Sequence, residues 1–172
     1  EGLHGESFRK PVTRMREYID VIRKAMRGER LDHEGEFFPT SRFRLRFQPY
    51  RSDMPIYIAS LNQTSLRMTG ELADGWLPIY LAPTRMEAVL NDLKIGARSV
   101  GRSLDEIKIS PQVSIYITDN ISAAYELERA HLAFYIGGMG IGYLVDISNL
   151  ISSYICWMLH YERFTITSIK RD

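Results

Sequence analysis

Cysteine is almost missing from this chain: Cys156 stands alone. One thiol cannot close an internal disulfide, so a disulfide scaffold is excluded and a reducing, cytoplasmic compartment is expected. Excess charge of either sign is missing too. Lys and Arg number 22 against 21 Asp and Glu, leaving a net charge of +1. Such a balance gives no overall pull toward nucleic acid or an anionic membrane. The chain opens on Glu1 rather than Met, with no basic-then-apolar leader, which points to a start inside a larger protein. From Leu132 to Tyr161 the only Asp, Glu, Lys or Arg is Asp146. A membrane span needs about 20 predominantly apolar residues. Asp146, Asn149 and several Ser and Gly interrupt this run, so a buried segment is expected instead.

Familiar catalytic signatures are also lacking. There is no GxxxxGK[ST], no GxSxG, no HExxH and no paired CxxC. These absences remove the usual phosphate loop, the hydrolase nucleophile elbow and the common zinc sites. Asp32-His33-Glu34 places three ligand types side by side, but metal sites draw ligands from spaced positions on rigid elements; no metal is expected. His131 reads as a packed or surface helical residue. Glu17 and Asp20 read as part of a solvated helix face, and Asp74 as a turn residue or a site residue. No catalytic acid or base stands out.

What is present is a 172-residue chain with 45% apolar and 25% charged residues, the composition of a globular domain. Val12, Met15, Ile19, Ile22 and Met26 recur at helical spacing and predict a helix from Pro11 to Arg27, ended by Gly28. From Glu29 to Asp53 the pattern is irregular. Within it Phe43, Leu45 and Phe47 alternate with Arg42, Arg44 and Arg46, which predicts an exposed strand. The same Arg-Phe mixture, extended to Arg51, is the pattern of a single-stranded nucleic-acid binder, kept as a minor alternative.

Beyond Pro55 the order turns regular. Ile56 to Ala59 predicts a strand, Asn62 caps a helix from Thr64 to Ala73, and Trp76 to Leu81 predicts a second strand. Thr84 and Glu87 form a capping-box pattern opening a helix to Ser99, and Ser103 and Glu106 form another on a short turn. Val113, Ile115 and Ile117 predict a third strand, followed by a helix from Ser122 to Ile136. Alternation of this kind means an α/β fold with parallel strands and crossover helices. Ligands then gather at the carboxyl ends of the strands, here Ala59 to Asn62, Pro78 to Ala82 and Thr118 to Asn120. Gly137 to Gly142 is glycine-rich but follows a helical pattern, and reads as a loop.

Three stretches carry a resemblance: HGESFRKPVTRMREYIDVIRKAMRGERLDHEGEFF, PIYIASLNQTSLRMTGELADGW and FYIGGMG. In that order and spacing they resemble the luciferase-like monooxygenase superfamily. The branch is similar to deazaflavin-dependent oxidoreductases such as methylene-tetrahydromethanopterin reductase. The resemblance implies a (β/α)8 barrel of which this chain is an incomplete, C-terminal portion. It divides the chain into a partial barrel at 1–143 and a diverged, truncated or frameshifted tail at 144–172. It implies hydride transfer between coenzyme F420 and a small organic substrate. The alternatives are an FMN-dependent monooxygenase, and an inactive truncated chain acting as an interaction module or homo-oligomer. On the match, Ala59, Ser60, Leu61 and Asn62 are cofactor-contact candidates, with Gly75 and Trp76 beside them. Gly137, Gly138, Met139 and Gly140 match a loop on the substrate side.

Overall fold

The computed structural model describes residue 5 and residues 7–79, 86–112 and 114–139. Close contacts divide the chain into two units. One comprises Glu1–Pro78 and Glu87–Pro111, the other Ile79–Met86 and Gln112–Asp172. The boundary expected near residue 143 lies outside the described residues.

The first unit opens with α1, Pro11–Met26. Pro11 takes the first helical position, where a missing N–H costs nothing. Gly28 ends the turn at a φ of +73°, a conformation that a side chain resists. The helix therefore stops where the sequence indicates. Its apolar stripe is only partly covered. Ile19 is buried in a cluster with Ile58, Met68 and Ala73, while Met15 and Ile22 stay exposed.

The irregular stretch contains an antiparallel pair, β1 (Leu31–His33) and β2 (Thr40–Phe43). The expected strand over Arg42 to Phe47 is thus corrected. Pairing ends at Phe43, and Arg42 sits at a φ of +55° with its N–H donated to the Asp32 carboxylate at 2.8 Å. That left-handed turn breaks the alternation the side chains suggest.

A parallel sheet follows, with strands in the order β3 (Tyr57–Ile58), β4 (Gly75–Trp76) and β5 (Lys108–Ile109). Helix α2 (Gln63–Leu72) connects β3 to β4. Helix α3 (Met86–Ser99) and a short 3-10 turn, Leu104–Glu106, lie between β4 and β5. The turn carries the full capping box expected of Ser103 and Glu106. This α/β arrangement with parallel strands is the expected class. The third strand is not where the alternation placed it. Lys108–Ile109 pairs with β4, while Ile115 and Ile117 belong to no strand and are exposed. Hydrogen-bond partners, not apolar spacing, choose a two-residue strand.

Two glycines set the contact between α2 and α3. A methyl group on Gly70 would strike the Leu93 carbonyl oxygen, and one on Gly96 would strike the Arg67 carbonyl oxygen. The helix backbones therefore touch directly. Leu93 and Ala97 are fully buried beside them, and Arg67 Nε reaches Asp92 at 3.0 Å.

In the second unit, Ile79 and Gln112 form a parallel bridge. Helix α4, Ile121–Met139, is capped by Asn120, whose Oδ1 accepts the Ala123 N–H at 3.1 Å. The Tyr116 hydroxyl donates to buried Glu128 at 2.8 Å. Among the described residues no helix is long and apolar enough to cross a membrane.

Candidate functional site

The carboxyl end of β3 runs through Ala59, Ser60 and Leu61 to Asn62, the cap of α2. Asn62 has extended backbone, and its Oδ1 accepts the Ser65 N–H at 2.9 Å. The other first-turn N–H groups of a helix have no partner inside it. Together with the helix dipole they attract an anion. From Pro55 to Leu66 there is no charged side chain, so this segment brings no charge of its own to the site. Ala59 and Asn62 are exposed and Leu61 is half-buried. These small or neutral groups fit an anionic part of a flavin-type cofactor approaching backbone.

Ser60 behaves differently from its neighbours. It is only 5% exposed, and its hydroxyl lies 2.8 Å from the Thr69 hydroxyl. Thr69 has one proton and directs it to the Ser65 carbonyl at 2.8 Å. The Ser60 proton therefore goes to Thr69, and the Ser60 side chain has no donor left for a ligand. Gly75 and Trp76 are also turned inward. A methyl on Gly75 would collide with the Tyr57 ring. Trp76 is fully buried and donates its indole N–H to the Ser60 carbonyl at 2.8 Å.

Asp74 closes the turn before β4. Its carboxylate accepts the Ile56 N–H and Arg23 Nη2, both at 2.9 Å, while the same Arg23 nitrogen donates to the Leu72 carbonyl at 2.7 Å. The side chain is thus engaged in tying α1 and the end of α2 to β3. Gly137, Gly138 and Met139 lie in the last turn of α4. They are helical rather than looped, because the helix continues past Ile136. Gly140 falls outside the described residues.

A second cluster went unnoticed in the sequence. The Glu17 carboxylate accepts the N–H groups of Glu36, Phe37 and Phe38 at 3.0, 2.9 and 3.1 Å. Burial raises its pKa, but these three donors and the adjacent His33 outweigh it and hold the carboxyl below its ordinary value. His33 Nδ1 lies 3.3 Å from Asp20 and its Nε2 3.8 Å from Glu17. Asp32 pairs with Arg30, so the Asp32-His33-Glu34 run points to different partners. Among the described residues no three His, Cys, Asp or Glu gather as metal ligands. A pocket of about 540 Å³ opens here, lined by Asp32, His33, Glu34, Gly35, Pro39, Thr40 and Ser41. Its two carboxylates disfavour an anionic cofactor, so the β3 end remains the better candidate. Backbone donors leave no mark in a sequence, and Glu17, expected on a solvated helix face, is instead only partly exposed and turned to these three amides.

Comparison with known proteins decides the family. Residues 1–163 match the model of the luciferase-like monooxygenases. The chain belongs to that family. A Mycobacterium tuberculosis family relative, named as a coenzyme F420-dependent oxidoreductase, is 32% identical over 81% of this chain and 44% of its own. The 5,10-methylenetetrahydromethanopterin reductase of Methanopyrus kandleri is 30% identical over 74% of this chain and 37% of its own. The solved structure of the F420-dependent tetrahydromethanopterin reductase of that organism superimposes with a TM-score of 0.66 at 28% identity, covering 73% of this chain and 37% of that one. The chain spans less than half the length of these relatives. Relatives in the family thus include F420-dependent oxidoreductases.

Proposed function

We propose that this chain is part of an oxidoreductase that uses coenzyme F420 and acts on a small organic molecule. Its three parallel strands are then a C-terminal portion of a (β/α)8 barrel. The observation that carries the reading is the β3–α2 junction. Exposed Ala59 and Asn62 stand beside a capped helix start, in a chain whose relatives include proteins named for F420. When bound, the cofactor supplies hydride transfer at its ring. This chain's residues hold its anionic portion: the backbone at Ala59 to Leu61 and the first turn of α2 face it, and Asn62 keeps that turn in shape.

Asn62→Asp tests this placement. Aspartate caps a helix as well as asparagine does, but it adds a negative charge where the anion sits. The affinity of the chain for coenzyme F420, followed by the fluorescence of the cofactor, is expected to weaken about fivefold. Equal affinity in the variant, with helix content unchanged by circular dichroism, rejects the site. A parallel titration with FMN separates the monooxygenase alternative.

A further inference from the structure

The strand end proposed as the cofactor cradle is tied at Ser60 to the elements on either side of it. The hydroxyl and the carbonyl of that residue both point inward. Its hydroxyl is spent on Thr69, and its carbonyl accepts the indole N–H of Trp76, each at 2.8 Å. Thr69 and Trp76 have no exposed surface, and Ser60 has almost none. A buried hydrogen-bonded set of this kind is rigid, because a group left without a partner there is costly. Thr69 sits on α2 and Trp76 on β4. Ser60 is therefore fixed to the helix on one side and to the neighbouring strand on the other, with exposed Ala59 just before it and exposed Asn62 two positions beyond.

We infer that Thr69 and Trp76 are positioning residues: through Ser60 they hold the backbone from Ala59 to Asn62 in the shape that receives the anionic part of the cofactor. Neither side chain touches the ligand. The inference rests on the reading given under the proposed function, and adds the parts that preorganise the site. It also turns Ser60 from a cofactor-contact candidate into the point through which the loop is held.

The test compares Thr69→Val, which removes the hydroxyl at nearly constant shape, with Thr69→Ser, which keeps it. The lock is read first without any cofactor, by hydrogen exchange of the Trp76 indole N–H and the Leu61 amide. Faster exchange in Thr69→Val and recovery in Thr69→Ser are expected. Unchanged exchange at both protons in Thr69→Val overturns the lock. Affinity for coenzyme F420 is read second, and is expected to fall about tenfold in Thr69→Val while staying near the original in Thr69→Ser. Equal affinity in all three proteins, with the lock lost in Thr69→Val, overturns the positioning role but not the site. No binding by the unaltered chain, with its lock intact, overturns the cofactor reading and the positioning role together. Should Thr69→Val fail to fold, Trp76→Phe removes the other bond and is read in the same way through the Leu61 amide and the affinity.

Discussion

The contact between α2 and α3 and the docking of the β1–β2 pair on α1 are built on opposite principles. In the first, Gly70 and Gly96 bring backbone against backbone, and the fit is decided by missing atoms. In the second, the segment following β1 is held by charge and by rings. Glu17 collects three backbone donors. Arg9 and Lys10 both reach Glu36, at 3.1 and 2.8 Å. Arg14 lies over the Phe37 ring at 4.7 Å, and the Tyr18 and Phe38 rings are 4.0 Å apart. A steric contact admits no partial version, whereas an electrostatic one weakens by degrees. The first therefore suits the rigid frame under a site, and the second a segment that responds to solution conditions.

The largest expected effect breaks the steric side alone. Alanine within a helix is ordinarily better than glycine by about 1 kcal/mol, so Gly96→Ala would stabilise an uncrowded helix. Here the new methyl meets the Arg67 carbonyl oxygen, a backbone atom that cannot swing aside. A net loss of about 3 kcal/mol is expected from overpacking, read as a lower urea midpoint. A stabilised variant would show that the helices separate freely.

Acid attacks the other side. The Glu17 carboxyl is held below its ordinary value of 4.5 in the folded chain. Its contribution is therefore present above that value and is lost as pH falls through the lower folded value. Amide exchange at Glu36, Phe37 and Phe38 should accelerate in that acid range, while Ala97 on α3 keeps its protection. Glu17→Gln should flatten the acid step at those three amides. A step of equal size in the variant would assign it to another carboxylate.

Salt gives the smallest difference. Glu36 and its partners Arg9 and Lys10 are well exposed, and 1 M salt shortens the reach of charges to about 3 Å. Modestly faster exchange is expected at Glu36, with none at Ala97. An equal response at both would erase the contrast between the two contacts.

The same division separates what was legible in the sequence from what was not. Helix α1 could be placed within a residue, because Pro11 and Gly28 act locally. The cap at Asn62 and the capping box at Ser103 were legible for the same reason: partners three residues apart are near each other in any helical turn. Strand β5 was not legible. Lys108–Ile109 has no apolar alternation and becomes a strand through its pairing with β4. The strand-to-helix junction proposed as the site was legible, since Ala59 to Asn62 follow a strand and open a helix. Its internal roles were not, because Ser60 reads as a cofactor-contact candidate until Thr69 and Trp76 are seen to take its hydroxyl and its carbonyl.

The sequence by itself therefore determined the helices, the caps at Asn62 and Ser103, the α/β alternation and the resemblance that led to the family. Those depend on spacing and on residues a few positions apart. Tertiary structure alone decided that two glycines let α2 and α3 touch, that Glu17 gathers a distant loop, and that Ser60 faces inward. Each of these joins groups far apart in the chain, and the energy of a hydrogen bond or a steric contact depends on where atoms meet in space, which residue order does not state.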